Sequence, residues 1–472
     1  LIFWLCDSPC HLIHAQRSSH ALVKIQINDA EEGDSIRVVQ NSFNIRTPET
    51  RIPTWLLIHN KQIKVEFNEM KHPGYLNLYD RKHKNLMSNE YLVEPGDSVT
   101  VVVNGQNISY VGRGCQKWQC VRKMELALEN IAAHHYKSAS KFSLNETYDF
   151  QDSALTERLR ILNTYSNKIS EQAFHIMQAD LFGSDLIFRI EISGFDLYTT
   201  ADASQRKSVD SIYRRLNMHM KKTGVLDRKP ITTYSYYWPF AILKKYLVDS
   251  FIMRSKSFDL PTQCRYIISH YGGTLRDHLM VSLLHNFHHA SPNLVSCLRD
   301  AMGVVGDTEL GSILEKQYQH YLQGTKAFNF SLVDTAGRVV RLSDFANKTI
   351  VMDYWYTGCF NCIEASTALK SIEPIFNRDT NFVFLSICVD PAKSTWLQSL
   401  RRWIYSTPDR INLFTNQRGM EDPLIKYYDI FGYPTLMMID KKGNLSSARL
   451  PDPRTNKGEP LIKAIRDAMA LK

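Results

Sequence analysis

The sequence predicts a multidomain α+β protein with an N-terminal β-sandwich, a helical middle region and a C-terminal α/β fold. Three observations predict it. Short alternating runs divided by turn residues occupy the chain up to residue 118. Apolar residues at three-to-four spacing take over from 119 to 323. Beyond 324, two near-continuous apolar runs flank a helical stretch, as buried parallel strands around a crossover helix do. At 472 residues the chain exceeds one ordinary domain, and two to three are expected. A hydrophobic content of 44% and a charged content of 22% supply material for several cores.

The first residues, Leu1-Ile2-Phe3-Trp4-Leu5, form a short apolar run, and Ala15 offers a small residue at which a signal peptidase could cut. With no initiator Met and no basic segment before it, 1–15 reads as the remnant of a signal peptide. The alternative is an exposed disordered end. Residues 16–118 form the expected sandwich. Its clearest strands are 21–27, 35–39 and 98–103, with turn punctuation at Pro95-Gly96-Asp97 and Asn104-Gly105. Strands at this spacing suggest an antiparallel arrangement.

In the middle region the helical periodicity covers 124–135, 154–181, 208–220, 240–253, 275–287 and 309–322. No repeat of fixed period is present. His285, His288 and His289 have a spacing suited to a metal, but no Glu or Cys accompanies them and Pro292 ends the segment. They read as a solvated helix end, and no metal or cofactor is expected. Of nine cysteines, Cys6 and Cys10 would leave with the signal segment. Cys115 with Cys120, and Cys264 with Cys297, could each pair, although ordinary buried or free thiols serve equally. Seven or nine cysteines in a chain this long make no disulfide scaffold. The net charge of +9 is scattered among acidic neighbours, which excludes a nucleic-acid partner. No run approaches 18 apolar residues, so a membrane enters only if the signal segment is retained.

In the last segment, 329–333 and 338–342 read as a hairpin around Asp334-Thr335-Ala336-Gly337. Residues 349–355 and 382–387 are the buried strands, followed by a strand at 435–440 and a helix at 461–469. Between the two buried strands stands Cys359-Phe360-Asn361-Cys362. Spacing alone is weak evidence, because nine cysteines in 472 residues place such a pair by chance in roughly one sequence in six. Its position is stronger. A cysteine between a buried strand and a helix meets unpaired backbone N–H groups and the positive end of the helix dipole, which stabilise a thiolate.

The run from Asp353 through Trp355 and Gly358 to Cys362 resembles the active-site strand and loop of the thioredoxin superfamily. The hairpin with Leu342-Ser343-Asp344-Phe345 resembles exported thiol-disulfide oxidoreductases of the TlpA/ResA type. Gly432-Tyr433-Pro434-Thr435 matches the superfamily's cis-proline loop, and Asp440-Lys441-Lys442-Gly443 matches the turn after its next strand. The resemblance covers 325–472. It implies a thioredoxin-like fold in which Cys359, the more exposed thiol, attacks and Cys362 resolves the mixed disulfide. It also implies that Asp353 accepts a proton from the resolving thiol, that Pro434 is cis, and that Trp355, Gly358, Tyr433 and Thr435 flank the substrate. Tyr91-Leu92-Val93-Glu94-Pro95-Gly96-Asp97-Ser98 resembles part of the accessory β-domain that precedes such domains in exported Gram-negative proteins.

There are departures from the pattern. Gly358 replaces the usual Trp, Thr367 stands where a kinking Pro is usual, and Phe360-Asn361 carries no cation. Without a cation the thiolate gains only the helix dipole, which favours reducing over strongly oxidising chemistry. The expected function is therefore a periplasmic or cell-envelope thiol-disulfide oxidoreductase. Its partners would be protein thiols and disulfides and an electron donor that the sequence does not name. A peroxiredoxin-like peroxidase is disfavoured because Thr357 lies only two residues before Cys359. A binding or scaffold protein with a vestigial redox domain is disfavoured by the intact pair and Pro434. Cys388, at a buried strand's end, reads as a packed thiol. The sequons at Asn107 and Asn145 carry little weight in a bacterial exported protein.

Overall fold

The computed structural model describes residues 19–32, 34–41, 54–80, 87–105, 107–136, 144–192, 214, 230–252, 259–287, 293–430 and 432–470. The expected signal remnant, Cys6, Cys10, His288, His289 and all of the expected helix 208–220 except residue 214 lie outside them. Two compact units divide the described chain, one up to 248 and the other from 249 onward, so the helices between 119 and 323 are shared between them.

The first unit begins with eight strands. They are β1 (Ala21–Ile27), β2 (Ser35–Asn41), β3 (Thr54–Leu57), β4 (Gln62–Phe67), β5 (Gly74–Asp80), β6 (Met87–Val93), β7 (Ser98–Asn104) and β8 (Asn107–Arg113). They form two four-stranded sheets, ordered β4-β1-β7-β8 and β3-β2-β5-β6. Alternation does what the pattern predicts, since Val23, Ile25, Val99 and Val101 point inward and Lys24 and Ser98 outward. These join Ile36, Val38, Leu76 and Leu78 of the other sheet in one core. One pairing departs from the antiparallel expectation: β1 and β7 run parallel, Val23 opposite Val99. No hairpin constrains strands so far apart in sequence, and the intervening residues supply the crossover that a parallel pair needs.

Among the described residues three helices lie within this unit, α1 (Cys115–Tyr136), α2 (Leu144–Asn163) and α3 (Glu171–Ile192), and α4 (Trp238–Ile252) begins in it. The expected helix at 154–181 is in fact two. Turns interrupt it after Asn163, and the Ser170 hydroxyl restarts it by accepting from the Ala173 N–H at 2.9 Å. Helix α1 begins before 119, because Trp118 is buried in the sheet core with its Nε1 donating to the Leu92 carbonyl at 2.9 Å. Cys115 and Cys120 both lie on this helix as free, buried thiols.

The second unit opens with α5 (Leu260–His270), α6 (Gly273–Phe287), α7 (Leu294–Met302) and α8 (Thr308–Tyr321). The periodicity missed α5 and α7, which are short. Cys264 and Cys297 sit on these two helices as free thiols. His285 is not at a solvated helix end. It is 2% exposed, on a helix whose Met280, Val281, Leu283 and Leu284 are all fully buried. Among the described residues no three metal-capable side chains cluster, and no helix is long and apolar enough to cross a membrane.

The remainder is a seven-stranded sheet and its helices. In chain order these are β9 (Ser331–Asp334), β10 (Val339–Arg341), β11 (Thr349–Trp355), α9 (Phe360–Ile372), β12 (Phe382–Cys388), α10 (Lys393–Leu400), β13 (Ile411–Phe414) and α11 (Pro423–Tyr427). The last three are β14 (Thr435–Ile439), β15 (Leu445–Ser447) and α12 (Glu459–Ala470). The sheet order is β10-β9-β13-β12-β11-β14-β15. Strands β11, β12 and β13 are parallel, whereas β14 runs antiparallel to β11. Every residue of β11 is buried, Asp353 included, as its near-continuous apolar run leads one to expect. Ile350, Met352 and Tyr354 face one core, while Val351 faces the other with Leu369 and Ile372 of α9 and Leu461 and Ile465 of α12. Asp353 shares the side of Val351 by the two-residue period. Helix α8 is tied to this domain: Tyr321 donates to the Tyr428 carbonyl, and His320 stacks on Tyr427 at 4.2 Å.

Candidate active site

Strand β11 ends at Trp355, and a short loop delivers Cys359 to the N-cap of α9. Its sulfur accepts from the Cys362 N–H at 3.1 Å, the contact a capping acceptor makes with the third residue on. The two cysteines are joined as a disulfide, with Sγ atoms 1.98 Å apart and Cα atoms 5.3 Å apart. The expected difference in exposure is absent, because Cys359 is 4% and Cys362 3% exposed. What distinguishes them is helix position. Phe360 between them is 70% exposed and covers neither core.

The loop before Cys359 is held at every step. The Thr357 N–H and hydroxyl bond Asp390 at 2.8 and 2.6 Å, and its hydroxyl also meets the Ser399 hydroxyl at 2.7 Å. The Gly358 N–H donates to the Tyr405 hydroxyl at 2.8 Å. Gly358 has φ +96°, where L side chains are strained, yet a Cβ there would meet nothing within 4 Å. Conformation, not space, requires glycine at this position.

Trp355 is scaffold rather than surface. At 1% exposed it lies flat on Tyr405, centroids 4.8 Å apart, and its Nε1 donates to Ser386 at 2.8 Å. It has no face to offer a substrate. Tyr356, 37% exposed, is the ring this loop presents. It meets Tyr433 edge-on at 5.5 Å, joining the cysteine loop to the segment with the cis Tyr433–Pro434 peptide. Tyr433 also packs on the cluster that contains both cysteines. Thr435 is 2% exposed, its hydroxyl donating to the Gly432 carbonyl at 2.6 Å and receiving Arg449 Nη1 at 2.9 Å. Its side chain therefore serves the loop's own geometry.

Asp353 is fully enclosed, and its bonded partner is a cation. Arg410 Nη1 donates to its Oδ2 at 2.7 Å, and Arg410 Nε donates to Glu373 Oε1 at 2.7 Å. Burial pushes the Asp353 carboxyl up to about 6; Arg410 opposes this and Glu373 adds to it. Nothing in the sequence paired these residues, which come from β11, the end of α9 and the segment before β13. The one available signal was a carboxylate in an apolar strand, which demands a counter-charge without naming it. Tyr405 and Asp390 were missed for the same reason. Cys388 is a fully buried free thiol opposite Trp355, its pKa driven up by burial.

A mixed sheet with three parallel strands, a disulfide at the start of the helix after the buried strand β11, and a cis-proline segment packed beside it define a thioredoxin-like domain. The Redoxin family model matches residues 322–463. Thiol-disulfide oxidoreductase ResA of Bacillus cereus is 24% identical over 30% of this chain and 78% of its own length. ResA of Geobacillus kaustophilus is 25% identical over 26% of this chain and 66% of its own. The solved thioredoxin domain of a thiol-disulfide oxidoreductase from Bacteroides vulgatus is 21% identical, covering 31% of this chain and 96% of that one with a TM-score of 0.27. A thiol-disulfide oxidoreductase structure from Bacteroides fragilis is also 21% identical, over 30% and 98%, with the same TM-score of 0.27. The C-terminal region is thus a Redoxin domain with a thioredoxin-like fold, similar to thiol-disulfide oxidoreductases of the ResA type.

Proposed function

We propose that this chain is an exported, periplasmic or cell-envelope enzyme that reduces disulfides of protein substrates. The observation that carries the reading is the Cys359–Cys362 disulfide at the N-terminus of α9, beside the Tyr433–Pro434 segment. In the reduced enzyme, the Cys359 thiolate attacks one sulfur of a substrate disulfide. A Cys359–substrate bond forms and the other substrate sulfur leaves as a thiolate. Cys362 then attacks the Cys359 sulfur, closing the enzyme disulfide and releasing the second substrate thiolate. Two electrons pass from enzyme to substrate, and an external dithiol donor restores the enzyme pair.

Asp353 takes the Cys362 proton in this scheme. Its raised pKa of about 6 lies closer to neutrality than an ordinary carboxylate's, which suits proton transfer. The absence of a cation between the cysteines leaves the helix dipole as the local stabiliser of the thiolate and favours the reducing direction. We read the two N-terminal sheets as a β-sandwich accessory domain, and the helices after it as the part that selects or positions partners.

The test is the reduction potential of the pair in the full-length chain. The protein is equilibrated against glutathione, free thiols are trapped, and the Cys359–Cys362 peptide is followed by mass, since among the described residues five other thiols are buried and free. A value near roughly −270 mV supports a reductant, and one near about −120 mV makes the enzyme an oxidant and overturns the direction. If no interconversion of dithiol and disulfide occurs at this pair, the oxidoreductase reading itself fails.

A further inference from the structure

Beside the cysteine loop lies a cavity of about 170 Å³, an order of magnitude above the roughly 10–15 Å³ that one water needs. Thr357, two residues before Cys359, forms one wall; Thr395, Gln398 and Ser399 of α10, then Arg402, Ile404 and Tyr405, complete it. The exchange chemistry described above uses none of the α10 side chains.

The inner and outer parts of this cavity differ in kind. Inside, the polar groups are satisfied. The Thr357 hydroxyl is shared between Asp390 and Ser399, and the Tyr405 hydroxyl receives the Gly358 N–H. Asp390, behind that wall, is 4% exposed, and the Thr357 N–H and hydroxyl each bond one of its two oxygens. At the mouth, the Thr395 hydroxyl, the Gln398 amide and the Arg402 guanidinium have no side-chain hydrogen bond or ion pair among the described residues. Thr395 and Gln398 stand three residues apart on α10, so one helical face carries both, and Arg402 follows in the turn just after the helix ends at Leu400. Gln398 and Arg402 are exposed, as is neighbouring Arg401, and no carboxylate lines the cavity.

Resting on the oxidoreductase reading, we propose that this cavity is a substrate subsite that takes an acidic side chain flanking the target disulfide of a polypeptide. A guanidinium, an amide and a hydroxyl with no internal partner form a donor set, and a carboxylate is the side-chain group that accepts from all three. The guanidinium fork suits a carboxylate better than an amide oxygen. The place suits a polypeptide as well. Extended chain advances about 3.3–3.6 Å per residue, so a side chain within two or three residues of the attacked sulfur reaches a wall two residues from Cys359.

The experiment uses the reduced full-length protein with three disulfide peptides that differ only in a Glu, Gln or Lys beside the cystine, and with uncharged hydroxyethyl disulfide. The Glu peptide is expected to show about a three- to fivefold lower KM than the Gln peptide at similar kcat, with the Lys peptide weakest. The advantage should shrink at high salt. In Arg402→Glu, with each rate divided by that variant's own rate on hydroxyethyl disulfide, the order of the Glu and Lys peptides should invert. Equal KM for the Glu and Gln peptides, or an unchanged order in Arg402→Glu, overturns the subsite while leaving the oxidoreductase reading intact. Failure of the wild type to reduce hydroxyethyl disulfide overturns both.

Discussion

Lys117 in the first unit and Arg410 in the second face the same arithmetic, one buried cation between two carboxylates. Lys117 is 3% exposed and reaches Glu94 and Asp97, each at 2.7 Å. Arg410 is 1% exposed and reaches Asp353 at 2.7 Å and Glu373. Each cluster is one positive charge short, and burial raises the pKa of an aspartate in both. What differs is access to water and to chemistry. Glu94 keeps 14% exposure, and the cluster joins the β6–β7 turn to the start of α1, where Gly114 has no room for a Cβ beside Asp97. In the other cluster, Asp353 and Glu373 are 4% and 5% exposed, on the strand and helix that carry the redox pair. The comparison teaches that a missing charge is a packing detail when a carboxylate can reach solvent, and a titrating site when neither can.

Four substitutions sharpen or break this contrast. The largest effect is expected for Arg410→Met, which strands two enclosed carboxylates and should cost about 3–5 kcal/mol in the unfolding transition of the second unit. Urea unfolding followed transition by transition measures it, because a chain of two units need not unfold in one step. A loss no larger than that of Lys117→Met would remove the distinction between the clusters.

Asp353→Asn is expected to act in the opposite direction on stability. The Asp353 pKa is raised from 3.8 to about 6, so its ionised form is disfavoured in the fold. Its contribution is fully present below about pH 4 and is lost as pH rises through about 6. The Asn variant should match the wild type in acid and exceed it above pH 6 by up to about 3 kcal/mol, at 1.36 kcal/mol per pK unit. The same variant should slow dithiol–disulfide exchange by about a hundredfold and lose any inflection near pH 6 in its rate profile. A rate profile identical to that of the wild type would remove Asp353 from the chemistry.

Lys117→Met should cost less, about 2 kcal/mol in the first unit, because Glu94 can turn to water. Exchange rates at the cysteine pair should be unchanged, which a simple disulfide assay checks. Gly358→Ala is the smallest perturbation. Space is open around the new methyl, so only the positive φ is strained, at about 1 kcal/mol, and the second-unit midpoint should shift accordingly. A loss several times larger would mean that the loop cannot relax and that its hydrogen bonds to Asp390 and Tyr405 fail with it.

Much of the architecture was legible because it follows from local periodicity. The two-residue alternation of 21–27 and 98–103 and the near-continuous apolar run of 349–355 set which faces are buried before any tertiary contact exists. The cysteine pair was legible for a similar reason, since strand, loop and helix N-terminus are contiguous in sequence. The chain by itself also specified the break at 164–170, in Ser170 placed to cap a new helix, although the apolar spacing across it concealed that signal. Short helices such as 294–302 were lost because nine residues hold too few periods to detect.

The tertiary structure decided the rest. Hydrogen bonds and ion pairs between distant segments leave no period in the sequence, so Arg410 beside Asp353 and Tyr405 beneath Trp355 came only with the fold. The parallel alignment of β1 with β7 depended on the closure of the long segment between them. The sequence by itself determined that a thiol pair begins a helix. Only the packing of separate elements decided which groups enclose that pair, which charge stands behind Asp353, and where the loop beside Cys359 opens into a cavity. The physical reason is that burial and charge pairing depend on distances in space, and the chain order sets those only within a few residues.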